Sequence, residues 1–93
     1  MSTTEQTHAA QSGLKDQIRE FITENLAQPK GIGSFRDDEA LMEIGVIDSL
    51  GLFRLVAFME EQLNVRISDD EINPENLKDV NTIEALVLRK RQK

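Results

Sequence analysis

Few residues in this 93-residue chain can do chemistry. There is no cysteine, so there is no thiolate, no disulfide and no Cys-based metal site. The only histidine is His8, inside the polar stretch "MSTTEQTHAAQSG". One segment stands apart: "GVIDSLG", Gly45 to Gly51, followed by the apolar run "LFRLVAFM". It sets Ser49 beside Asp48. A serine nucleophile needs a base to take its proton, and His8 is badly placed to serve. Asp48 is adjacent in sequence, but neighbours at i, i+1 on a helix do not face each other. The segment is not the strained G-x-S-x-G elbow of hydrolases. The acid clusters "DDE" at 37–39 and "SDDE" at 68–71 lack the alternating spacing and central glycine of a calcium loop. No glycine-rich phosphate loop occurs. The expectation is no catalytic residue and no metal site. Ser49 then reads as a residue acted upon, at a helix start where partial positive charge favours an attached phosphate.

The elements that would position Ser49 follow from periodicity. Residues 1–12 show no apolar repeat and read as a flexible tail, with one domain over 13–93. Leu14, Ile18, Phe21, Ile22 and Leu26 recur at helical spacing, which predicts a helix from about Gly13 to Ala27. Pro29, Gly31 and Gly33 stop it. No regular element is expected from Gln28 to Ile47. That loop carries its own anchors, Ile32, Phe35, Leu41, Met42, Ile44, Val46 and Ile47, so it should pack on the fold and be ordered. A second helix should open at Asp48 or Ser49, both favoured N-cap types, and run to Leu63, with Asn64 ending it. "NPENLK" predicts a short helix capped by Asn73 with Pro74 at its first position. Asn81 and Glu84 predict the cap of a last helix, Thr82 to about Lys90. Three longer helices and one short one make a small all-α helical bundle.

Composition narrows the function. Seventeen acids against eleven bases give a net charge of −6. That argues against nucleic-acid binding, which wants a basic face to neutralise phosphates. No apolar run approaches the roughly 20 residues that span a bilayer, and the N-terminus does not read as a secretory signal. A cytoplasmic monomer that does not engage membranes is expected. The second helix has more apolar surface than a core-facing stripe requires. Leu52, Arg54, Leu55 and Met59 are its candidate partner-binding residues, with Leu52 or Leu55 facing solvent.

"IGVIDSLG", "LFRLVAFMEEQLNVRI" and "NPENLKDVNTIEALV", in this order and placement, resemble the acyl carrier proteins and their aminoacyl and peptidyl relatives. The likeness covers roughly Leu14 to Lys90. It implies an antiparallel four-helix bundle with a long loop between helices 1 and 2. It implies a 4′-phosphopantetheine arm on Ser49, joined through a phosphodiester, whose thiol holds acyl or aminoacyl groups as thioesters. Asp48 matches the acid that helps position the modifying transferase and its metal-bound coenzyme A. Leu50 matches a residue that packs just under the attachment site. The implied partners are a phosphopantetheinyl transferase, an adenylating acyl or aminoacyl ligase, and acyl transferases or synthases. Two departures refine this. Val46 and Ile47 both stand between the glycine and Asp48, where one residue is common; this form resembles free-standing carriers loaded by a separate ligase. Arg54 stands where fatty-acid carriers tend to have an acid, which points to a dedicated biosynthetic pathway. The competing reading is an unmodified helical interaction module in which Ser49 is only a helix cap.

Overall fold

The computed structural model describes residues 13–92; the expected tail and His8 lie outside them. Among the described residues there are three α-helices and no strand. α1 spans residues 13–22, α2 is Ser49–Gln62 and α3 is Val80–Arg91. α1 does not end cleanly. It widens into a π-helical turn, Thr23–Ala27, closed by the Gln28 N–H bonding to the Thr23 carbonyl. A 3₁₀ turn, Gln28–Lys30, follows, and Gly31 ends it in the left-handed region at φ 78°. α2 ends as expected at Asn64, itself left-handed at φ 59°. Asparagine tolerates that conformation better than most side chains.

The expected fourth helix over "NPENLK" is not formed; residues 73–79 are turns and bends. Asn73 does cap, since its Oδ1 accepts from the Asn76 N–H at 2.8 Å. The Leu77 N–H then reaches the Asn73 carbonyl at 3.2 Å, which completes one helical turn. Propagation stops there because Asp79 must be extended (φ −145°, ψ 177°) to cap α3. Without further turns the ordering cost of a helix nucleus is not recovered. A 3₁₀ turn forms instead at Asp69–Glu71.

The cap of α3 is also corrected. Asp79, not Asn81, holds the first turn: its Oδ1 accepts from the Thr82 N–H at 2.7 Å and from the Thr82 hydroxyl at 2.6 Å. Asn81 and Glu84 serve long-range contacts. Lys15 of α1 donates to Asn81 Oδ1 at 2.9 Å and lies 3.6 Å from Glu84. The Asn81 N–H meets the Asp37 carbonyl of the loop at 3.1 Å.

One apolar cluster unites these parts. α1 and its π turn contribute Ile18, Ile22 and Leu26. α3 contributes Ile83, Leu86 and Val87. α2 contributes a ridge at i, i+4 spacing, Gly51, Leu55 and Met59, continued by Leu63 at its C-cap. Leu55 and Met59, expected on a partner face, are fully buried core residues. The error has a simple origin. Gly51 shares an arc of the helix with the charged Arg54 and Glu61, yet it is buried. A Cβ there would come within 3.4 Å of Leu26 Cδ2. The glycine leaves room for Leu26 of the π turn to pack against α2, so the buried face is rotated toward it.

Truncating the ridge should therefore be costly. Leu55→Ala or Met59→Ala should lower unfolding free energy by about 2–5 kcal/mol, and Leu50→Ala by roughly 0.5 kcal/mol or less. Urea titration of the three variants checks this; a Leu50 variant as unstable as the Leu55 variant would contradict the burial pattern.

Glu71 supports a pH prediction. Lys90 donates to both its oxygens at 2.8 and 3.0 Å, and the Ser68 N–H and hydroxyl each donate at 2.9 Å. Lys90 first, then Ser68, pulls its pKa down to about 2. A depressed carboxylate stabilises above its unfolded pKa of about 4.3, and the effect is lost as pH falls through the folded value. The stability gap between wild type and Glu71→Gln should be constant above about pH 5 and close between about pH 5 and pH 2. Thermal melts across that range measure it.

Candidate functional site

Residues 31–48 link the end of α1 to α2 without helix or strand. Phe35, Leu41, Val46 and Ile47 are buried, and Ile32 is half-buried. Met42 and Ile44, expected as anchors, are instead exposed. A turn over residues 41–45 swings both outward, and Gly45 sits at φ 84°, a conformation that disfavours a side chain. The turn lets the Val46 N–H bond back to the Leu41 carbonyl at 2.9 Å. It also explains the two residues between Gly45 and Asp48. Val46 and Ile47 both plug into the core immediately before the site.

Polar clips hold the rest of the loop. Arg19 of α1 donates to Asp37 Oδ1 at 2.7 Å and to the Phe35 carbonyl at 3.1 Å, and its guanidinium lies 4.6 Å above the Phe35 ring. The planar fork serves both acceptors while stacking on the ring, which an ammonium could not do. The Leu41 N–H meets the Lys78 carbonyl at 2.8 Å.

Asp48 is the N-cap of α2. Its backbone is extended, and its Oδ1 accepts from the Gly51 N–H at 2.7 Å. Its Oδ2 accepts from Lys30 Nζ at 3.0 Å, and the same ammonium donates to the Val46 carbonyl at 3.2 Å. The Gly51 amide, with Lys30 second, holds the Asp48 carboxyl below the usual carboxylate range. Lys30 was not singled out in the sequence. Its only local signal is a base in the last turn before Gly31, and its reach to Asp48 depends on how the loop folds back.

Ser49 is the first residue of α2 and is exposed. It does not carry the cap, because Asp48 does. First-turn amides have no intrahelical acceptor, so the Ser49 and Leu50 N–H groups remain open toward an anion on the serine. The positive helix end suits the same charge. An exposed hydroxyl in this setting fits a phosphodiester.

Around it, Leu50 is 63% and Phe53 66% exposed. Leu50 was expected to pack beneath the attachment point and does not. Arg54 is exposed and Leu52 half-buried. The free apolar surface on this helix therefore belongs to Leu50 and Phe53, not to Leu55 or Met59.

A family model described as "phosphopantetheine attachment site" matches residues 16–89. The chain belongs to this family. Its members carry 4′-phosphopantetheine covalently. No curated protein matches the chain. Among the described residues no helix is long and apolar enough to cross a membrane, and no group of three or more His, Cys, Asp or Glu could hold a metal ion.

The Asp48 contacts make a titration prediction. By carbon-detected NMR, Asp48 should titrate below an ordinary aspartate, and Lys30→Ala should move its midpoint part of the way back up. The Gly51 amide, the larger cause, remains in that variant, so a complete return would show that the cap is not formed in solution.

Proposed function

We propose that the protein is a carrier whose Ser49 bears the 4′-phosphopantetheine arm. The observation that supports this reading most is an exposed serine opening α2 while the neighbouring aspartate does the capping. Ser49 thus has no structural task that would account for it. The alternative, Ser49 as a mere cap, loses its reason, since the capping carboxylate is Asp48. In the modification the Ser49 Oγ forms a bond to the phosphorus at the pantetheine end of coenzyme A, and the bond to the nucleotide half breaks. The arm supplies the thiol that this cysteine-free chain lacks. The chain itself presents the arm and does not act as a catalyst. Asp48 and Lys30 fix the direction in which α2 leaves the loop and so where the hydroxyl points. Leu50 forms part of the surface that the transferase meets.

We further place the carrier in a dedicated pathway of lipid or secondary-metabolite synthesis, loaded by a separate adenylating acyl or aminoacyl ligase and served by acyl transferases or synthases. The support is the chemistry of the first turns of α2. They present Leu50, Phe53 and Arg54 and no acid. Of the later acids, Glu60 is engaged within the fold, accepting from the Ile67 N–H at 3.1 Å.

Two experiments test these readings. Co-expression with a phosphopantetheinyl transferase should raise the intact mass by one arm in wild type and leave Ser49→Ala unchanged. That variant should stay within about 0.5 kcal/mol of wild-type stability, because no cap is lost. An arm gained by the alanine variant would move the attachment elsewhere. For loading, Leu50→Ala or Phe53→Ala should slow the ligase by about 10-fold or more, as buried interface anchors do. Removing Glu61 should change mainly the salt dependence. Arg54→Glu should improve use by fatty-acid synthase enzymes. Loading rates at two salt concentrations decide; leucine-independent, salt-dominated loading would remove the case for a dedicated pathway.

A further inference from the structure

The flank of α2 holds a second surface, away from its Ser49 end. A groove of about 670 Å³ lies between α1 and α2. Phe21 of α1 and Phe58 of α2 line it, stacked at 4.3 Å between centroids and 13° between planes, with Ala57 beside them. Both rings are only partly buried; they pack on the core and also line the groove. Glu20, Glu24 and Glu61 stand along it and are exposed. None of the three enters an ion pair among the described residues. Arg54, the one base of the lining, sits at the end nearer Ser49. On α2 the groove begins five residues past Ser49 and ends thirteen past it, about 7.5 to 20 Å along the helix axis.

We propose that this groove is a docking site for a basic amphipathic helix of a partner protein. The charge selects the occupant. Three like charges around an apolar floor repel one another, and Lys or Arg side chains at i, i+3 or i+4 would meet them as a helix lays an aromatic or aliphatic residue over the Phe21–Phe58 pair. A groove between two helices accepts a third helix as ridges enter grooves. A second copy of the chain is a poor occupant. Its net charge is −6, and of the three bases in the last turn of its α3, Lys90 is engaged with Glu71 and Arg91 with the Leu63 carbonyl, which leaves Arg89 alone to meet three acids. The site is independent of any modification of Ser49. It would hold a partner on the flank of α2 while the serine end remains open to a second enzyme.

The test uses the full-length, unmodified protein and nitrogen-15 NMR. The probe is an 18-residue helical peptide of Leu and Lys in amphipathic spacing with one central Phe; its control replaces every Lys by Glu. The expected result is amide shifts concentrated at residues 20–25 and 57–62, weakened by added salt and absent with the control. Glu20→Lys, Glu24→Lys and Glu61→Lys combined should weaken binding at least 10-fold; the positions are exposed, and an unchanged spectrum elsewhere verifies the fold. Phe58→Leu should weaken binding in a salt-independent way, and Ser49→Ala should leave it unchanged. Shifts centred on Leu50 and Phe53, or spread evenly over the acidic surface, would overturn the proposal. So would equal affinity for the triple variant, or a shift pattern reproduced by raising protein concentration alone, which would make the groove a self-association face.

Discussion

The two oxygens of the Asp48 carboxylate do different work, and the geometry of the whole site depends on that division. Oδ1 accepts the Gly51 amide and so starts α2; Oδ2 accepts the Lys30 ammonium and so ties that start to the end of α1. A cap alone would begin the helix without saying where it begins. The Lys30 bond, shared with the Val46 carbonyl, locates it. The bond is exposed and adds little by charge alone. Its effect rests on the groups it connects, two helix ends joined by a segment without regular structure.

That segment would be mobile if its backbone had no partners. It is held because its apolar residues enter the core and its polar groups are clipped to α1 and to the start of α3. Arg19 grips Asp37 and Phe35 from α1, while Asp37 and Leu41 bond to residues at the start of α3. Each clip is weak, but together they tie the loop to α1 and to the residues at and just before the start of α3. The loop therefore behaves as part of the packed fold, and the last residues before Asp48, Val46 and Ile47, are fixed in the core.

α2 is consequently a helix with three separate surfaces. The ridge of Gly51, Leu55 and Met59 is spent on the core. Leu50 and Phe53 leave an apolar surface beside Ser49. Ala57, Phe58 and Glu61 share a groove with α1. Apolar and acidic surfaces are displaced along one helix, so charge steering and apolar anchoring need not act on the same partner at the same place.

Much of this was legible without coordinates. Helix 1, helix 2 and helix 3 follow from apolar spacing, and the boundary at Asp48 and Ser49 from capping chemistry, because these signals are local. Ser49 stood out in the sequence because no base, metal cluster or phosphate loop competed with it, and the structure adds that it is exposed at the start of α2. Three things were not legible. The cap of α3 passed from Asn81 to Asp79 because Asn81 is drawn to Lys15 and Asp37 across the fold. The short helix after Asn73 was truncated by the extended backbone that Asp79 needs. The exposed side of α2 was misassigned because a glycine adds no apolar side chain to the pattern yet is buried, with Leu26 packed against it. In each case side chains distant in sequence decided between local options of nearly equal energy, and that competition is settled only once the chain has folded.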